Sequence, residues 1–273
     1  MYLVDFVYDD VRLSEIGYMV ASFITSNSES SSAGSKLEFE TITNHGSHLN
    51  EIVNATYNEM LSFTFDIMKY SCQDINNNYI SDNELTYLMR WLNRTEYCKF
   101  KPIYDDYSFY QTYFMGSFTE ISTINVEGKV IGLTVTFTSN SPYGFSDFSN
   151  NIYTVNDSNG SFIVYDESDE LGYKYVDNLE ITINSNGNFV LSNNKYSKNT
   201  IINNCVEGEV INLDCIHKII TSSEEHKNLY NDFNYIYPRL YNSMYTRENI
   251  FTSSLPCVIN MKYKPIKKVG VII

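Results

Sequence analysis

At 273 residues, with 33 acidic against 19 basic side chains, the chain carries a formal charge of -14. That balance excludes general affinity for a nucleic-acid backbone, which needs clustered Lys and Arg. Hydrophobic residues make up 43% and aromatic residues 15%, enough for packed cores in one large domain or two ordinary ones, and the 24 tyrosines and 16 phenylalanines suit strands.

Patterning starts at once with LVDFVY, a turn-like DDVRLSE and then IGYMVASF, all read as strands around a turn. This opening lacks the cationic start and apolar core of an export signal, and no apolar run approaches the ~20 residues of a membrane span. No membrane insertion is expected. SNSESSSAGS (26–35) is read as a polar connection. The H-x-x-H of Asn44-His45-Gly46-Ser47-His48 has no Cys, Asp or Glu at ligand spacing to complete a metal shell, so it too is read as a loop.

In LSFTFDI, Leu61, Phe63, Phe65 and Ile67 alternate with polar residues, the mark of a half-buried strand. CQDINNNYISDNELTYLMRWLN follows. Asp74, Asn76, Asn78 and Glu84 imitate the ligand order of a calcium loop, but Tyr79 stands where such a loop needs glycine and Leu85 where it needs a bidentate Glu. The better reading is a helix start: Ser81 and Glu84 form a capping box, and Leu85, Leu88, Met89 and Leu92 lay one apolar stripe with Trp91 at its edge.

FMGSFTEIST and VIGLTVTFTS, joined by INVEGK, read as a long two-stranded ribbon, with Ile131, Leu133, Val135 and Phe137 on one face and threonines on the other. NSPYGFSDFSNN marks a domain boundary near residue 141. Beyond it, strand patterns recur at the spacing of a β-sandwich, and NSNGNF is the clearest hairpin turn among them.

Chemistry is sparse. Cys72, Cys98, Cys205, Cys215 and Cys257 are odd in number and contain no C-x-x-C pair, so they read as buried thiols. His217 and His226 are isolated, and no catalytic triad can be assembled around them. Asp166, Glu167, Asp169 and Glu170 in YDESDELGYKY are the paired carboxylates a glycosidase would need, but adjacent acids on one loop are read as a solvated turn. MKYKPIKKVGVII reads as a final strand with a cationic face.

Several stretches together carry a resemblance over nearly the whole chain. LVDFVYDD, the helix ending RWLN, CKFKPI, GSFTEISTINVEGKVIGLTVTFTSNSPY, YVDNLEITINSNGNFVLSN and SLPCVINMKYKPIKKVGV resemble the distal tail proteins of siphophages and related prophages. The resemblance implies a mainly β chain of two domains. Residues 1–140 form a ring-building domain with one helix and a long hairpin, and residues 141–255 a galectin-like β-sandwich. The last strand, about 256–273, is a candidate to return to the first domain.

The resemblance also implies a structural virion protein of the tail tip, a homohexameric ring that links the tail tube to the tail-tip hub and lets DNA pass. Implied partners are the chain itself, the tail tube protein, the hub or tail-associated protein and receptor-binding proteins; assembly takes place in the host cytoplasm. No catalytic, metal or cofactor residue is expected. The candidate ring and partner contacts are Asn125, Val126, Glu127, Gly128 and Lys129 at the ribbon turn, with Arg90, Trp91 and Arg94 on the helix. The alternative is a carbohydrate-binding, lectin-like module for host attachment, with Tyr165, Tyr173 and Tyr175 as its glycan contacts.

Overall fold

The computed structural model describes residues 2–21, 36–43, 46, 49–57, 60–70, 79–106, 111–223, 226 and 228–268. Contacts divide the chain into two units, Met1–Phe145 with Lys267–Ile273, and Ser146–Ile266. Antiparallel strands dominate both, as the Tyr- and Phe-rich composition leads one to expect.

In the first unit β1 (Leu3–Tyr8), β2 (Val11–Arg12) and β3 (Tyr18–Ala21) come first. Asp9 and Asp10 take φ of 51° and 61°, the two-residue hairpin geometry that short polar residues tolerate. Buried Asp5 stabilises the same corner, because its carboxylate accepts from the Phe6 and Ser14 backbone N–H groups and from Arg12 Nε at 2.6 Å.

The chain then forms β4 (Leu37–Thr43), β5 (Asn50–Tyr57), β6 (Ser62–Lys69), helix α1 (Asp82–Leu92), β7 (Cys98–Tyr104), β8 (Thr112–Val126), β9 (Lys129–Ser139) and the short β10 (Gly144–Ser146). The main sheet has the order β2-β1-β7-β8-β9-β6-β3, while β4 and β5 make a separate two-stranded sheet.

Alternation decides the inner face. Leu61, Phe63, Phe65 and Ile67 are buried, as are Leu133, Val135 and Phe137 on the neighbouring strand. The core is aromatic: Phe137 lies 4.5 Å from Phe100 and 5.5 Å from Phe118 between ring centroids, contacts worth about 0.5–1.5 kcal/mol each beyond area burial. At Gly116 a Cβ would collide with the Thr138 carbonyl oxygen, so only glycine lets β8 and β9 close there.

Helix α1 begins with the expected capping box: Ser81 N–H donates to Glu84 Oε2 at 2.8 Å, and Glu84 N–H donates to Ser81 Oγ at 3.4 Å. Its buried face differs from the predicted stripe. Leu88, Trp91 and Leu92 are buried, whereas Leu85 and Met89 are half-buried. The cause is Trp91, whose indole N–H donates to Tyr8 O at 3.0 Å and whose ring stacks on Phe6. Asp74, Asn76 and Asn78 of the calcium-like run lie outside the described residues, as do His45 and His48 and the connection 26–35.

In the second unit β11 (Ser149–Val155), β12 (Gly160–Tyr165), β13 (Gly172–Tyr175), β14 (Asn178–Ile183), β15 (Gly187–Asn193), β16 (Tyr196–Cys205), β17 (Val210–Asp214), β18 (Ile219–Ser222), a one-turn helix α2 (Leu229–Asp232), β19 (Arg239–Asn242), β20 (Glu248–Ser253) and β21 (Cys257–Tyr263) follow in order. A five-stranded sheet, β11-β21-β14-β17-β18, and a four-stranded sheet, β12-β20-β15-β16, bury their inner faces in one core, the layering of a sandwich.

One expectation is corrected here. NSNGNF is not a hairpin turn: β14 and β15 belong to different sheets, so the segment with Gly187 at φ 148° crosses between the two layers. The closing stretch from about 256 divides: β21 sits between β11 and β14 with Cys257, Ile259, Met261 and Tyr263 buried, whereas the two-residue β22 (Ile266–Lys267) pairs with β10 in the main sheet of the first unit. Alternate apolar positions on β21 match the inner face of that sheet, which holds it there.

Candidate interaction surfaces

At the end of α1 the three candidate residues part company. Trp91 is 5% exposed and belongs to the core. Arg94 fastens the helix to the β1–β2 turn, with Nη2 2.9 Å from Asp9 Oδ2 and Nε donating to Trp91 O at 3.3 Å. Arg90 is exposed, so it alone of the three has its side chain chiefly in solvent. At the other end Lys69 Nζ lies 2.7 Å from Glu84 Oε1. Burial opposes ionisation of Glu84, but the hydrogen bonds from Lys69 and Ser81 outweigh it and hold its pKa down at about 2.

The β8–β9 ribbon turns through Glu127 and Gly128 at φ 52° and 79°. Asn125 Nδ2 donates to Thr123 Oγ1 at 3.0 Å, Lys129 Nζ lies 5.0 Å over the Tyr79 ring, and Val126 is exposed. Most of the ribbon is part of the sheet: β6 pairs with β9 from Gly132 to Thr138, and Ile80 N–H donates to Val130 O. Besides the turn, it presents the end of β8 to solvent, where every residue from Thr119 to Val126 is exposed or half-buried.

An unpredicted surface lies on β4 and β5, where every residue from Leu37 to Thr43 is exposed and only Tyr57 of β5 is half-buried. The signal was present in LEFETIT, which alternates apolar with acidic residues before the bulge.

On the second unit, Tyr173 packs against Tyr241 and Tyr196 at 4.9 and 5.4 Å, and its hydroxyl donates to Lys195 O at 2.8 Å. Tyr175 is enclosed by cations, with Lys218 Nζ 3.0 Å and Arg239 Cζ 4.4 Å from its ring centre. The hydrogen bond from Arg239 lowers its pKa. Tyr165 is exposed but lies on β12, in a different sheet from the other two.

The acidic run is not a solvated turn. Strand alternation continues past β12, so Asp166 and Ser168 are buried, and Asp166 pairs with Lys174 while accepting from Ser168 N–H at 3.1 Å. Sequence reading also missed the surroundings of His226. Its Nδ1 lies 2.8 Å from buried Glu209 and its Nε2 3.0 Å from Asp232, groups six and seventeen positions away in the chain. Burial disfavours its charge, but the two carboxylates outweigh that and raise its pKa. Ser222 Oγ donates to Glu209 Oε1 at 2.7 Å, so the serine and one imidazole nitrogen converge on the same buried carboxylate and tie β17, β18 and α2 together as a clamp.

Cys98, Cys205, Cys215 and Cys257 are buried free thiols, and burial pushes Cys205 and Cys215 up to about 12. Among the described residues no cluster of His, Cys, Asp or Glu is arranged to hold a metal ion, and no helix is long and apolar enough to cross a membrane.

Comparisons with known proteins converge. A model of a phage tail protein N-terminal domain matches residues 1–141, and a model of a phage tail C-terminal domain matches residues 143–263. The crystal structure of the Dit protein of phage SPP1, described as a paradigm of the hub adsorption apparatus in phages infecting Gram-positive bacteria, shares the fold with a TM-score of 0.65 at 11% identity, covering 96% of this chain and 99% of that one. The phage P2 baseplate in its activated conformation with Ca is a more distant likeness, with a TM-score of 0.44 at 8% identity over 96% and 98% of the two chains. No curated protein matches by sequence.

Proposed function

We propose a role that proceeds from one premise: the chain belongs to the phage tail protein family, whose two domain models together span nearly its whole length. On that premise it is a distal tail protein of the virion. Six copies close into a ring through the first unit, the ring joins the tail tube to the tail-tip hub, and DNA passes through its bore. The observation that carries this reading is the fold shared with SPP1 Dit from end to end.

Charge supports it. A formal charge of -14 suits a passage through which DNA slides without being gripped. Function on this reading is geometric, with one pair of unlike surfaces repeated around a closed ring and no residue assigned to catalysis. The turn from Asn125 to Lys129 supplies one of these surfaces, with Val126 exposed at its tip.

Native mass spectrometry and negative-stain microscopy of the purified chain, with antibody-gold labelling of phage particles that carry it, test the reading. Six-fold rings and gold at the tail tip are expected. Gold on the head or along the tail shaft overturns it.

A second reading, the carbohydrate-binding module, is favoured by one observation: Tyr173, Tyr196 and Tyr241 form an aromatic group with Tyr173 exposed, and Arg239 lies over the Tyr196 ring. Saturable binding of the full chain on a glycan array, lost with Tyr173→Ala, would support it, and silence would remove it.

A further inference from the structure

Strand alternation gives the two faces of the β13–β19 ribbon different surroundings. Tyr173 opposite Tyr241 and Tyr175 opposite Arg239 share one face, so Lys174, opposite buried Leu240, points the other way. There its ammonium meets Asp166, which is fully buried just past the end of β12. Backbone holds both partners in place: Asp166 N–H donates to Arg247 O at 2.9 Å, and Lys174 is paired with Leu240 inside the ribbon.

Lys174 Nζ and Asp166 Oδ2 are both shut away from solvent, and neither finds a further polar partner among the described residues. An ammonium has three N–H groups to satisfy, and a buried ion pair repays its desolvation only when the remaining protons and lone pairs are met. Burial accordingly pulls the pKa of Lys174 down, against the opposing pull of Asp166, and the charge of Arg247 adds to the lowering. A lysine so placed holds more of the neutral amine, which is the nucleophilic form.

We propose that Lys174 and Asp166 condense within the folded chain, joining Nζ to Cγ in an isopeptide bond. The ammonium first passes one proton to Oδ2, leaving an amine against a carboxylic acid. The Nζ lone pair adds to Cγ and a C–O electron pair moves onto Oδ1, where the Ser168 N–H, already 3.1 Å away, steadies the negative charge. The carbonyl re-forms as the Cγ–Oδ2 bond breaks, and Oδ2 leaves as water with the proton it held and a second one from nitrogen. One C–N bond replaces one C–O bond, nothing is oxidised or reduced, and every atom comes from the chain.

Two things favour the step. Groups held against each other by fixed strands react with effective molarities of about 10⁵ M or more. The amide also keeps one N–H where the ammonium had three and loses Oδ2 altogether, which removes the unmet hydrogen-bonding capacity of both groups. The product fixes the ribbon that displays Tyr173 and Tyr241 to the end of β12 through a bond with no charge to lose.

Intact mass of the purified full chain, measured unfolded, tests the bond. The wild-type chain is expected to be lighter than its sequence by one water, and cleavage after Glu167 and Glu170 is expected to leave the fragments carrying Asp166 and Lys174 joined. Lys174→Arg keeps a cation opposite Asp166 but offers no nucleophilic amine, so it is expected at its full sequence mass, with the two fragments separate. A wild-type chain at full sequence mass overturns the proposal and leaves the pair a buried salt bridge, and that measurement decides even where the variant fails to fold. A loss of water that persists in Lys174→Arg belongs to another site, such as a succinimide, and also overturns it.

Discussion

The two ribbons of the first unit are made of similar strand residues and stand in opposite conditions. Along β8 and β9, Phe114, Phe118, Leu133, Val135 and Phe137 are buried under neighbouring elements, and β6 adds a third strand. Along β4 and β5 there is no third strand among the described residues, and the apolar side chains stay in water. Alternation alone creates a face; a further layer makes that face stabilising.

The largest break of this contrast is at the centre of the aromatic core. Phe137→Ala is expected to cost about 3–5 kcal/mol, read as a lower denaturation midpoint at constant slope. A loss below 1 kcal/mol would show that the buried ribbon is no better supported than the exposed one. Next comes the close approach of β8 and β9: Gly116→Ala forces a Cβ against the Thr138 carbonyl and is expected to cost about 1–3 kcal/mol, visible in the same titration.

A smaller effect is expected at the helix that covers this core. Ser81→Ala removes the acceptor of the capping box and is expected to cost about 1 kcal/mol. The same cap predicts a pH dependence. Glu84 is held at about 2 from an ordinary 4.5, so its contribution is complete above pH 4.5 and is lost as pH falls from 4.5 toward 2. Stability measured through that window should fall less steeply in Glu84→Gln than in the wild-type chain. The smallest effect sharpens the contrast from the other side: Phe39→Ser should change the stability of the unassembled chain by no more than about 0.5 kcal/mol, and a large loss there would mean the ribbon is already covered within one copy.

Much of this was legible in the residues. LSFTFDI and VIGLTVTFTS alternate so regularly that their buried faces could be named, and Ser81 with Glu84 marked the helix start, because these are local patterns read over a few residues. What failed was non-local. Trp91 turned inward because Tyr8 O and the Phe6 ring, more than eighty positions away, wait for it. Gly187 looked like a hairpin turn because a turn's chemistry is the same whether the chain returns to its own sheet or crosses to another. The clamp around His226 draws in Glu209 from seventeen residues before it and Asp232 from six after it, and only one of the helix candidates, Arg90, is left chiefly in solvent. The β4–β5 ribbon was missed because the alternation of LEFETIT lasts only to the bulge at Glu40 and Thr41, beyond which threonines replace the apolar residues of that face.

Trp91 is the chain's single tryptophan, and it is sealed inside the aromatic core of the first unit. Indole fluorescence is therefore a private channel to that unit, while far-ultraviolet dichroism averages over both. Any gap between the two melting curves measures how independently the units come apart, and curves that coincide mean they unfold as one.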